Sequence, residues 1–121
     1  MTTFCELFVV GTTDSRESLL ALIEQATGGT RQGFVVTYEG VEFEVRNNPR
    51  RKGIADDELE RRESNSENGF VYTPYTVEAE PVDEAMISSE FVAVVRPVIE
   101  TLRSSGFSVH VSSDLEAELT T

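Results

Sequence analysis

Short apolar runs alternate with polar stretches along the chain, and the period of each run assigns its element. Phe4 to Val10, FCELFVV, is largely apolar on both faces and rich in strand formers. It predicts a first, central strand ended by Gly11. TTDSRE then reads as a helix start, with Asp14 as N-cap and Glu17 three residues on in capping-box position. Leu19, Leu20, Ile23 and Ala26 recur at helical spacing until Thr27-Gly28-Gly29 closes the helix. GFVVTYEGVEFEVR changes period and reads as a hairpin. Phe34, Val36 and Tyr38 share one face of its first strand. Val41, Phe43 and Val45 share one face of the second, with Glu42, Glu44 and Arg46 on the other. Glu39-Gly40 is the tight turn between them.

Residues 47–69 lose this patterning. Ile54 and Leu59 are the only sizeable apolar residues, and turn formers are dense. Such a segment buries too little to offset its ordering entropy, so the expectation is a long, mobile, mixed-charge loop. A short helix at DDELERR is compatible with it, supported by Asp57–Arg61 and Glu58–Arg62 at i,i+4.

Alternation returns in FVYTPYTVEAEP, residues 70–81. Pro74 cannot donate to a ladder, which implies an edge strand or a bulge there. Residues 76–80 read as an ordinary strand with an acidic outer face, and residues 70–75 as a contact surface. SSEFVAVVRPVIETLRSSG follows as a second helix capped by Ser88. Phe91, Val95, Val98 and Leu102 lie on one of its faces, and Pro97 should kink it. The alternative, a strand over 91–95 and a helix starting at Pro97, leaves no turn between the two. FSVHV is the last strand, and SDLEAEL adds a final helical turn. The order β-α-β-β-β-α-β predicts one α+β domain over residues 1–121. It is a two-layer sandwich with a mainly antiparallel sheet of about five strands and two helices on one face, on a ferredoxin-like plan.

Charge changes the picture more than composition does. The chain has 121 residues, 39% hydrophobic and 26% charged, which is ordinary for a globular protein. Ten basic residues face twenty-two acidic ones, a net charge of −12. Direct binding to nucleic acid or anionic lipid is therefore disfavoured. The imbalance is uneven: residues 46–69 carry six charges of each sign, while both flanking regions are acidic. The N-terminus lacks a basic region and has only a short apolar run, so no signal peptide is expected. With no segment long enough to span a bilayer and one cysteine, the expected location is the cytoplasm.

Motifs for chemistry are missing. The sequence has no phosphate-cradling glycine loop, nucleophile elbow, CxxC or HExxH, and no cofactor or metal is expected. Cys5 alternates with Leu7 and Val9 and reads as a buried thiol. His110, the one histidine, should lie opposite the core, on a wet face that also holds Glu6, Glu42, Glu44, Glu78 and Glu80 if registers align. A histidine among carboxylates suits a hard metal or acid/base work, but a solvated sheet face has the same composition. The basic cluster RNNPRRK is neutralised by its own acids and lacks interleaved aromatics.

Carboxylates spread along strands imitate a phosphate backbone and steer basic proteins. Tyr72 and Tyr75 beside Glu78 and Glu80 would anchor such a contact, with Glu42 and Glu44 adding charge. The short acidic chain, CELFVVGTTDSRESLLALIEQATGG at its start, YTVEAEP before the second helix and SSDLEAEL at its end together resemble small α+β proteins of the immunity type. Those proteins neutralise toxins in bacterial interference systems. The resemblance implies an inhibitory protein-binding module whose partner is a toxin domain, and a basic nuclease would suit the charge. The reading favoured is thus a non-enzymatic module that blocks a basic protein. The alternative is a small-molecule-binding or catalytic domain, dimeric through an edge strand or the open sheet face. It would use a pocket between sheet and long loop, with His110 or a carboxylate pair as polar groups.

Overall fold

The computed structural model describes residues 4–11, 15–65 and 67–120. Its centre is a six-stranded antiparallel sheet: β1 Cys5–Val10, β2 Thr30–Gln32, β3 Val35–Tyr38, β4 Val41–Asn47, β5 Tyr75–Pro81 and β6 Ser108–Ser112. The strand order is β2-β3-β4-β5-β1-β6. Helices α1 Arg16–Thr27 and α3 Ser88–Ser104 supply the apolar layer, α4 Glu116–Thr120 follows β6, and α2 Asp56–Glu63 lies in the long connection. The fold is an α+β sandwich as expected, with six strands rather than about five and four α-helices rather than two among the described residues.

The core forms where two periodicities meet. Cys5, Leu7, Val9, Val41, Phe43, Val45, Val77 and Ala79 alternate onto one sheet face and are fully buried. Leu19, Leu20 and Ile23 of α1 and Phe91, Val95, Val98, Ile99 and Leu102 of α3 face them at helical spacing. The helix over 88–104 is continuous through Pro97, and the strand alternative is not realised. Pro97 and Ala93, one turn earlier, are both exposed, so the carbonyl that loses its partner is on the water side. No helix of the described residues is long and apolar enough to cross a membrane.

Local expectations shift where a neighbouring residue does the work. Ser15 is the N-cap of α1, its side chain accepting from the Ser18 N–H, while Asp14 lies outside the described residues. Ile87, not Ser88, is the N-cap of α3, with no side-chain hydrogen bond. Gly28 ends α1 in the left-handed region at φ 71°. The Glu39-Gly40 turn has both φ angles positive, 48° and 79°, as a two-residue hairpin of type I′ requires.

Phe34 is not in a strand. It sits in the turn that joins β3 to the unforeseen strand β2, exposed, with the Arg16 guanidinium 3.6 Å from its ring centre. β2 is the polar tripeptide Thr30-Arg31-Gln32 at the sheet edge, which shows no hydrophobic alternation. Short polar edge strands of this kind also resist pairing with other chains. Pro74 likewise marks no edge. β5 is central, between β4 and β1, and Pro74 immediately precedes it, using its carbonyl to accept from the Asn48 N–H at 2.9 Å. Residues 70–72 belong to a 3₁₀ turn, Gly69–Tyr72, rather than to the strand.

Candidate functional site

The second face of the sheet, opposite α1 and α3, gathers most of the residues singled out from the sequence. The registers do align. Glu42 stands opposite Glu80, and Glu44 opposite Glu78. Glu78 in turn stands opposite Glu6. One residue pair further along, Arg46 faces Thr76, Thr76 faces Phe8 and Phe8 faces His110. The face therefore has an acidic end, at Glu42 and Glu80, and an aromatic end, at Phe8 and His110.

The aromatic end is roofed by residues 48–65 and 67–74, which include most of the 47–69 stretch expected to be a mobile loop. They contain a 3₁₀ turn at Pro49–Arg51, helix α2 and the 3₁₀ turn Gly69–Tyr72. Helix α2 matches the stretch foreseen at DDELERR and forms the expected Glu58–Arg62 pair, while Arg61 turns to Glu58 rather than to Asp57. Arg61 and Arg62 both bond Glu58, at 2.6 and 2.9 Å. Two guanidiniums on one carboxylate hold Glu58 below the usual carboxylate range. Its acidic first turn and basic last turn both suit the helix dipole.

A small set of buried polar atoms docks this roof. Asn48, 3% exposed, donates its amide to the carbonyls of Val71 and Thr73 at 2.7 and 2.8 Å. The Thr73 hydroxyl donates to the Val9 carbonyl at 2.7 Å, tying the roof to the central strand. Arg51 pairs with Glu63 and donates to the Tyr72 carbonyl at 2.7 Å. Gly69 is required by proximity: a Cβ there would sit 2.2 Å from the Glu63 carbonyl oxygen. Beneath the roof, Phe70 stacks on His110 with ring centres 4.2 Å apart and planes within 7°, and meets Phe8 edge-on at 5.4 Å. Arg50 lies over Phe8 and grips Glu6 through two 3.0 Å hydrogen bonds.

The acidic end has no roof. Arg46 bonds Glu78 at 2.7 Å and reaches Glu44 at 3.8 Å. Glu42 and Glu80 make no hydrogen bond or ion pair among the described residues. Four carboxylates on this end thus share one guanidinium. Like charges directly opposite on neighbouring strands oppose folding, by about 0.2–1 kcal/mol per pair.

The tyrosines are elsewhere. Tyr72 is half-buried in the roof, its hydroxyl 3.3 Å from Arg62 Nη1. Tyr75 starts β5 and packs against the helix-side core. Neither stands beside Glu42 and Glu80. Sequence reasoning missed Asn48, Arg50 and Phe70, which organise the aromatic end. Only the unusual length of the segment signalled them.

Between roof and sheet lies a cleft of about 440 Å³ lined by Val10, Phe70, Pro74, Ser108, His110 and Glu63, among others. Among the described residues it holds His110 with one carboxylate, Glu63. No hydrogen bond joins Ser108, His110 and Glu63, and Glu63 is held by Arg51. No three His, Cys, Asp or Glu side chains among the described residues are grouped to hold a metal ion. Cys5 is buried on the core face, and desolvation, with a smaller contribution from Glu6, pushes its thiol up to about 12. Comparison with family models, curated proteins and solved structures finds no match for the chain.

Proposed function

We propose that this chain is a non-enzymatic binding module that engages a basic protein through the unroofed acidic end of its sheet. The observation that carries the reading is the pair of carboxylates Glu42 and Glu80, without a hydrogen bond or ion pair among the described residues, held opposite each other next to Glu44 and Glu78 on one face of β4 and β5. A fold that keeps like charges opposite each other forgoes stability, and the complementary charge of a partner recovers it. A basic toxin domain of the nuclease type, blocked in an immunity-like complex, is the specific partner we favour. We also read β4-β5-β1-β6 with α1 and α3 as a split βαβ core of ferredoxin-like plan, to which the β2-β3 hairpin is added at the acidic side.

The test compares wild type with Glu42→Lys/Glu80→Lys. A lysine-rich peptide is the first probe, and a basic nuclease domain encoded beside the gene is the second. Wild type should bind in a one-to-one complex whose association rate falls steeply with salt, and the double reversal should abolish binding. Equal binding by both proteins, or an association rate indifferent to salt, would sink the proposal. Reversal at Glu78 is a poorer test, because it also removes the partner of Arg46.

A further inference from the structure

We infer that the cleft under the roof is a second, independent site, shaped for a small, planar, uncharged heterocycle. It lies at the opposite end of the face from Glu42 and Glu80 and does not rest on the binding proposed there. A volume of about 440 Å³ is within the range of small-molecule sites. Its apolar walls are Val10, Pro74 and the Phe70 ring. Phe70 and His110, nearly coplanar in orientation, give the cleft a layered aromatic side. A flat ring gains from such a side by offset or edge contact, where a bulky aliphatic body does not.

The hydrogen-bonding groups are unspent. His110 and Ser108, neighbours on the same face of β6, line the cleft, and neither side chain has a hydrogen-bond partner among the described residues. A neutral imidazole offers one donor and one acceptor, and a hydroxyl offers both. That set matches a ligand edge with alternating donors and acceptors. Charge selects further. No Lys or Arg lines the cleft among the described residues, Arg51 nearby is paired with Glu63, and the net charge of −12 repels an anion. The Thr73 hydroxyl, donating to the Val9 carbonyl, ties this side of the cleft to the sheet.

Three related probes test the inference on the unaltered chain. Nicotinamide carries a flat ring and an uncharged amide, nicotinate has the same ring with a carboxylate, and cyclohexanecarboxamide keeps the amide on a puckered ring. Nicotinamide should shift the His110 ring resonances saturably, with nicotinate and cyclohexanecarboxamide each about tenfold weaker or worse. Ser108→Ala should weaken nicotinamide several-fold while leaving the melting temperature and the salt-dependent binding at Glu42 and Glu80 unchanged. The inference is overturned if no probe saturates, if all three bind alike, or if the shifts map away from Phe70, Ser108 and His110.

Discussion

Two ends of one sheet face, built from the same alternating strands, are finished in different ways. At the aromatic end three strand residues are each met by a side chain of the roof: Phe8 by Phe70 and Arg50, His110 by Phe70, and Glu6 by Arg50. At the acidic end Glu42 and Glu80 face each other across β4 and β5 with no hydrogen bond or ion pair to either among the described residues. The first end is stabilised by contacts that a large polar insertion brings to it. The second is kept less stable than it could be. Removing a polar group should therefore have opposite signs at the two ends, and that opposition is the strongest check on the reading of the face.

The largest effect is expected at Asn48. Asn48→Ala orphans the carbonyls of Val71 and Thr73 in a buried setting, at about 1–3 kcal/mol each. Hydrogen exchange should show the loss concentrated in residues 48–74, with strands β2 to β4 still protected. Gly69→Ala should give the same pattern through overpacking, at about 1–3 kcal/mol. Uniform loss of protection would mean that roof and sheet open together and that the two ends are not separate units.

Cys5 distinguishes these outcomes. It lies on β1 beside Glu6 in sequence but on the opposite face, inside the core shared by both ends. Its raised pKa favours the neutral thiol in the folded state. The associated stability is complete below pH about 9, the ordinary value, and is lost as pH rises towards about 12. At pH 8 alkylation of Cys5 should track global unfolding only, so Asn48→Ala should lose exchange protection in the roof with little gain in thiol reactivity. Rapid labelling of the native wild type at that pH would contradict the burial argument.

Much of this face was legible from alternation alone. Glu42, Glu44, Glu78, Glu80, Glu6 and His110 were placed together on it by period-two reasoning, because each strand has one apolar set that must face the helices. The roof was not legible, for a physical reason. Its stability comes from Asn48, Thr73 and Arg51 bonding backbone atoms distant in sequence, and such bonds leave no hydrophobic period. The strand reading of residues 70–74 failed for the same reason, while Tyr75 does begin β5. Phe70 and Val71 do alternate in character with their neighbours, but the turn at Gly69–Tyr72 carries Phe70 onto His110 instead of into the ladder. β2 went unseen because an edge strand of three polar residues has no face to bury.

A smaller effect tests the ion pair at the aromatic end. Glu6 is only 13% exposed at its side chain and accepts both bonds from Arg50. Glu6→Gln keeps the shape and removes the charge. The expected loss is about 1 kcal/mol, since hydrogen bonds to charged groups exceed neutral ones but this pair is partly wet. A gain in stability on this change would erase the distinction between the ends.

The smallest effect is the most telling, because its sign is reversed. Glu80→Gln removes one charge from the unpartnered pair, and the protein should gain about 0.2–1 kcal/mol at low salt. Glu42→Gln should gain a similar amount, and the double change little more than either alone, because one repulsion is relieved once. At about 1 M salt, where screening acts over roughly 3 Å, most of the gain should vanish. Denaturant melts of the four proteins at two salt concentrations measure all of this. Strict additivity would show that the two carboxylates do not feel each other across β4 and β5. A loss on either change would show that each is already stabilised by the fold, and the acidic end would then have no unmet charge for a partner to satisfy.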